Sequence, residues 1–192
     1  MKRQSVKKLA LVAAATVALA AAACSSSSTT ATGTDSGTQA GTLYARLGEH
    51  KGIRAAVDAV VAAELKDPEI ASSFVLLSDG TSNPGHPTAN QLEECLTTQL
   101  AAAAGGPEKY PSKLSADFGG YQCRDMKAAH VQFKIPSDEF DKFVMIAAAT
   151  LKGKISDEDL TTVGKVLNST KADIVDPSSP AGSFFDAGAG GG

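Results

Sequence analysis

Between Thr42 and Val175, apolar side chains recur at spacings of three and four residues, the period of an amphipathic helix. Ile53, Val57, Val60, Val61 and Leu65 share one face of a helical stretch from Leu43 to about Lys66, with a break expected near Gly48 to Gly52. Asp67-Pro68 stops it. A short turn, Glu69 to Phe74, leads into Val75 to Ala89, whose Ser, Asp, Gly, Asn and Pro content reads as loop. Asn90 to Ala104 is the next helix, with a stripe of Leu92, Leu96, Leu100 and Ala103 flanked by Cys95 and Gln99. Gly105-Gly106-Pro107 ends it, glycine as a C-cap and proline barring continuation. Glu108 to Gln122 is irregular, and Cys123 to about Gln132 forms a short helix carrying His130.

Pro136-Ser137-Asp138-Glu139 opens a further helix, acidic in its first turn as the helix dipole favours. Phe140, Phe143, Val144, Ala147 and Leu151 give its buried face. Ser156-Asp157-Glu158-Asp159 opens the last one in the same way, packed through Leu160, Val163, Val166, Leu167 and Ile174. No run alternates as a half-buried strand does. The pattern predicts an all-α domain of five or six helices without internal repeats.

The ends read differently. Lys2, Arg3, Lys7 and Lys8 precede an apolar, alanine-rich run of 15 residues, Leu9 to Ala23, and Ala21-Ala22-Ala23 meets Cys24. A basic start, a short apolar segment and small residues before the cut form a secretory signal. A cysteine directly after it resembles a bacterial lipoprotein signal, in which Cys24 is lipidated and holds the chain to a membrane. Ala21 stands where such signals usually carry leucine, and an ordinary cleaved signal with an incidental cysteine is the alternative. The expected organisation is therefore a signal over residues 1–23, a Ser/Thr/Gly tether over 24–41, one domain over 42–175, and a Pro/Ser/Gly-rich tail over 176–192. The tether has too few apolar side chains to offset the entropy of ordering. The expected location is exported and lipid-anchored to the cell envelope, on the periplasmic or outer surface.

Charge narrows the partners. The chain carries a formal net charge of −3, and loss of the four basic residues of the signal makes it more acidic still. That argues against nucleic-acid binding, which wants a basic face. Export also gives the cysteines meaning. With Cys24 used by the anchor, Cys95 and Cys123 remain, and an even pair in an exported domain suggests one disulfide. Two free thiols are the alternative.

The candidate chemistry centres on Asp125-Met126-Lys127-Ala128-Ala129-His130, followed by Phe133, Ile135 and Phe140. It places one imidazole on a short helical turn between apolar residues. Alone this is weak, since a single histidine is often a satisfied surface group and apolar stripes are usually core. Its surroundings strengthen it. Leu43-Tyr44-Ala45-Arg46-Leu47-Gly48 opens the folded region, and Gly105-Gly106-Pro107-Glu108-Lys109-Tyr110 precedes the histidine. In this order the segments resemble the group I truncated haemoglobins, from roughly Leu43 to Val175.

The resemblance implies a 2-over-2 helical sandwich of truncated-globin type, here with two loop insertions, about Leu77 to Ala89 and about Ser112 to Gln122. It implies a non-covalent haem b whose iron is held by His130, with Met126 one turn before it. It also implies that Phe74 stacks on the macrocycle. Leu92, Leu96 and Leu100 then form the distal wall, and Phe133, Ile135, Phe140 and Val144 the proximal side and floor. Lys127 or Lys134 would meet a propionate. Family members commonly carry a distal tyrosine and a glutamine that bind oxygen. Val61 and Leu96 stand at those positions, so an apolar pocket weakens oxygen relative to carbon monoxide or nitric oxide. Tyr121, Tyr110, Gln99 or His86 could supply a polar contact or a sixth iron ligand. His50 is expected in an exposed polar turn.

Three functions follow from this reading. The first is a haem protein binding a diatomic gas, O2, NO or CO, on a lipid leash. The second is an enzyme, a nitric oxide dioxygenase or a peroxidase-like catalyst. The chain has neither GxGxxG nor CxxCH, so the haem is not covalently attached and any reductase is external. The third is a haem-free lipoprotein of globin shape that acts as an interaction module.

Overall fold

In the computed structural model, residues 41–77 and 85–183 are described, all within one unit spanning Gln39–Gly192. The signal, almost all of the tether, the middle of the first insertion and the last nine residues, with Phe184 and Phe185, lie outside them.

Eight α-helices are present among the described residues. Helix α1, Leu43–Arg46, is capped by Thr42, whose side chain accepts from the Ala45 amide. The break before α2, Glu49–Glu64, is confined to Leu47 and Gly48, narrower than the sequence suggests. Gly48 has φ of +82°, where glycine is favoured. Gly52 lies inside α2, where a Cβ would sit 2.0 Å from the Leu47 carbonyl oxygen and only glycine fits. His50 is therefore helical, not in a turn.

Asp67 caps the single turn α3, Pro68–Ala71, and a 3-10 turn, Ser72–Phe74, follows. Helix α4, Ala89–Ala103, begins in a capping box. Thr88 accepts from the Gln91 amide, and the Gln91 side chain accepts from the Thr88 amide. The second insertion folds back on itself, with Lys113 and Gln122 bridged around a 3-10 turn, Ala116–Phe118. Helix α5, Met126–His130, starts three residues later than expected, because Asp125 is its cap and Cys123 hydrogen-bonds to the Ser112 carbonyl. Helix α6 is Ser137–Leu151. The last helical stretch is split at Thr170 into α7, Asp157–Ser169, and α8, Lys171–Ile174.

Helix α2 packs on both α4 and α6, and α6 packs on α7, which gives the two-over-two sandwich. Its core is Leu43, Ile53, Val57, Val61, Ala101, Ala104, Leu151 and Val163. A smaller cluster gathers Cys95, Leu114 and Cys123, with Tyr110, Phe118 and Tyr121 packed on it. There the two cysteines are bonded to each other, Cα atoms 5.6 Å apart, so that α4 is tied to the segment before α5.

Ion pairs lie across the element contacts. Arg54 of α2 meets Glu93 at 2.7 Å and Glu94 at 3.0 Å on α4. Arg46 of α1 meets Asp159 of α7 at 2.7 Å. Lys142 of α6 reaches Asp67 at 2.8 Å and also Glu69.

Candidate functional site

A cavity of about 430 Å³ opens between α2, α4, α5 and α6 and runs on toward α7 and α8. Its size falls within the range of about 300–1,000 Å³ typical of cofactor and ligand sites. Nine of the ten residues expected from the sequence line it: Phe74, Leu92, Leu96, Leu100, Met126, His130, Phe133, Ile135 and Phe140.

Val144 does not line it; Phe143 does. The two are neighbours on α6 and so point about 100° apart. The lining arc is carried by Glu139, Phe140, Phe143, Ala147 and Leu151, and Val144 falls outside it. The expectation for Val144 came from grouping it with the buried face, of which the cavity uses only part.

His130 ends the five-residue α5, which Asp125 starts by accepting from the Ala128 amide at 2.9 Å. Its Nδ1 lies 2.7 Å from the Met126 carbonyl oxygen, one turn back. A carbonyl only accepts, so Nδ1 must carry the proton. In the neutral ring this leaves the Nε2 lone pair free, and Nε2 has no hydrogen-bond partner among the described residues. Burial holds the imidazole below its ordinary pKa; the charge of Arg124 acts in the same direction, and the Met126 bond opposes them. The structure thus keeps a neutral, oriented imidazole on the wall of an apolar cavity. That is the state in which histidine ligates a metal.

The lining also includes the leucine stripe of α4 with Val57 and Val61 of α2. Polar groups are few. Gln99, Tyr121, His86 and Arg124 line the cavity. Tyr110 lines it too, but its hydroxyl donates to the Arg124 carbonyl at 2.5 Å, and burial pushes its pKa up to about 12. Lys127 and Lys134 are exposed and outside the lining. His50 also lies outside it, between Glu94 at 3.0 Å and Glu108 at 3.1 Å.

Among the lining residues that the sequence did not single out are Arg124 and Glu139. Glu139, expected as a first-turn acid of α6, is 3% exposed and accepts a hydrogen bond from Ser73, while its other oxygen has no partner among the described residues. Burial pushes its pKa up, against the Ser73 bond. The only sign of this in the sequence is the register: Glu139 is four residues before Phe143 and so shares its face.

The two outer motifs prove to be one structural unit. The Tyr44 amide donates to the Ala104 carbonyl at 2.9 Å, and its hydroxyl to Glu108 at 3.1 Å. Gly106 lies under the Tyr44 ring, where a Cβ would come within 2.5 Å of it. These residues set how α1 meets the end of α4 and take no part in the cavity.

The residues present fit a haem. The cavity is mostly apolar, has one oriented neutral nitrogen ligand, and has an arginine on its wall.

No protein-family model and no curated protein matches the chain. Solved structures do. A truncated haemoglobin from Tetrahymena pyriformis in its Fe(III) form is 24% identical, with a TM-score of 0.53, covering 70% of this chain and 98% of that one. A variant of the group II truncated haemoglobin from Bacillus anthracis is 17% identical, with a TM-score of 0.54, covering 77% and 100%. The chain has the truncated-globin fold, and the likeness does not select a subgroup.

Proposed function

We propose that this protein is a haem-binding globin of the group I type that takes a diatomic gas at an iron held by His130. The observation that carries the reading is the imidazole itself: half-buried, neutral, its Nδ1 committed to the Met126 carbonyl and its Nε2 without a hydrogen-bond partner among the described residues, on the cavity wall. Haem b, when bound, supplies the iron to which the gas attaches. The chain supplies everything else.

Met126, Phe133, Phe74, Phe140 and the leucines of α4 all line the cavity and would hold the apolar ring and keep water from it. Val61 and Leu96 offer no hydrogen-bond donor there. That favours nitric oxide or carbon monoxide over oxygen, which gains most from such a donor. Gln99, Tyr121 and His86 are among the lining side chains able to supply one.

Cys24 would carry a lipid anchor and the signal would export the chain, so that the domain works in the cell envelope. Any electron donor is then a separate reductase. Turnover as a dioxygenase or peroxidase is the second reading, and its support is Glu139, a buried acid on the same cavity that can hold a proton.

Haemin titration tests the main reading. The protein should develop a Soret band with one haem per chain, and His130→Ala should lose it. No specific band in the native sequence would leave a haem-free interaction module as the better account.

A further inference from the structure

The cavity wall holds a cation with no counter-ion among the described residues. The other arginines of the folded region are paired: Arg46 with Asp159 at 2.7 Å, and Arg54 with Asp58, Glu93 and Glu94. Arg124 lines the cavity, is half-buried, and has no carboxylate partner among the described residues. Its side chain makes one long contact, 3.5 Å to the Gly85 carbonyl oxygen.

Its backbone is nonetheless pinned on three sides. Cys123, just before it, is bonded to Cys95 of α4. Its own carbonyl accepts from the Tyr110 hydroxyl at 2.5 Å, and Asp125, just after it, caps α5. Holding an uncompensated guanidinium beside an apolar cavity is unfavourable. A ligand that brings its own negative charge removes that cost. The guanidinium fork matches a carboxylate in shape and charge.

We infer that Arg124 is the carboxylate anchor of the cavity, pairing with a propionate of the haem. This role falls to Arg124 and not to Lys127 or Lys134, which lie outside the lining. Tyr121 and His86 lie on the cavity wall as well. The inference rests on the haem reading above, and it makes a prediction that the haem reading alone does not.

The test compares haemin with haemin dimethyl ester, in which both carboxylates are masked and the ring is unchanged. Affinities of the full chain and of Arg124→Gln for each are measured by Soret titration. The native chain should prefer haemin by about tenfold, the scale of a charge-assisted hydrogen bond. Arg124→Gln should bind both alike, and Arg124→Lys should keep part of the preference. The preference is a ratio within one protein, so a general loss of affinity cancels from it. Equal binding of the two by the native chain, or an undiminished preference in Arg124→Gln, overturns the role of Arg124 while leaving haem binding intact. Failure of either compound to give a specific band overturns both.

Discussion

Glu64 is fully buried in α2, and both its carboxylate oxygens are without partners among the described residues. Burial, with Asp67 nearby, pushes its pKa from 4.5 up to about 8, against the pull of Lys142. Between those two values the folded state binds more protons than the unfolded one, so stability falls as pH rises through the window and levels off above it. Glu139 adds to the same slope from its own raised pKa. His130 acts oppositely: its lowered pKa costs stability as pH falls below its ordinary 6.5. Glu64→Leu should therefore raise stability at pH 8 by about 1–3 kcal/mol and flatten the loss between pH 5 and 8, read by urea unfolding across pH. An unchanged pH slope would mean that Glu64 is not buried as a neutral acid. On the cavity wall, Leu96→Gln introduces a donor. It should slow oxygen release by about 5- to 30-fold, one hydrogen bond's worth, measured by stopped-flow; faster or equal release would place Leu96 away from the bound gas.

The elements show what the sequence makes visible and what it does not. The long helices α2, α4, α6 and α7 follow from apolar periodicity, and their ends from Asp67-Pro68, Thr88, Gly105 and Ser156. The single-turn helices are too short for a period to register, so the start of α5 and the split at Thr170 rest on local capping instead. Nine of the ten residues expected at the cofactor lie on the cavity wall, and it was a resemblance that ordered them. Val144 was not, because a buried face and a cavity face differ by one residue on α6. Arg124 gave no signal and Glu139 only its register with Phe143, since a polar residue's burial depends on what packs over it from elsewhere in the chain. Gly52 belongs to this scale too. Any side chain there strikes the Leu47 carbonyl, so Gly52→Ala should displace α1 from α2 and cost about 2 kcal/mol or more in chemical unfolding. A neutral result would show that the α1–α2 corner yields freely.

At the scale of the whole molecule, the cavity is bounded by α4 on one side and by the segment leading to His130 on the other, and Cys95–Cys123 joins the two. A bond across 28 residues of sequence is worth roughly 3–4 kcal/mol in the chain-entropy model. Replacing both cysteines by alanine should lower stability by about that much and speed haem loss, followed by transfer to an apo-globin acceptor. Unchanged stability and retention would make the bond incidental to the cavity. An oxidising compartment is what keeps such a bond closed.

The central claim is that His130 Nε2 is the iron ligand, and the most direct measurement removes the ring and then gives it back. His130→Gly should bind haemin poorly and without the native Soret band, and added imidazole should restore both by filling the vacated space. A variant that keeps the native spectrum without imidazole would contradict the account, because the iron would then be held by a residue other than His130.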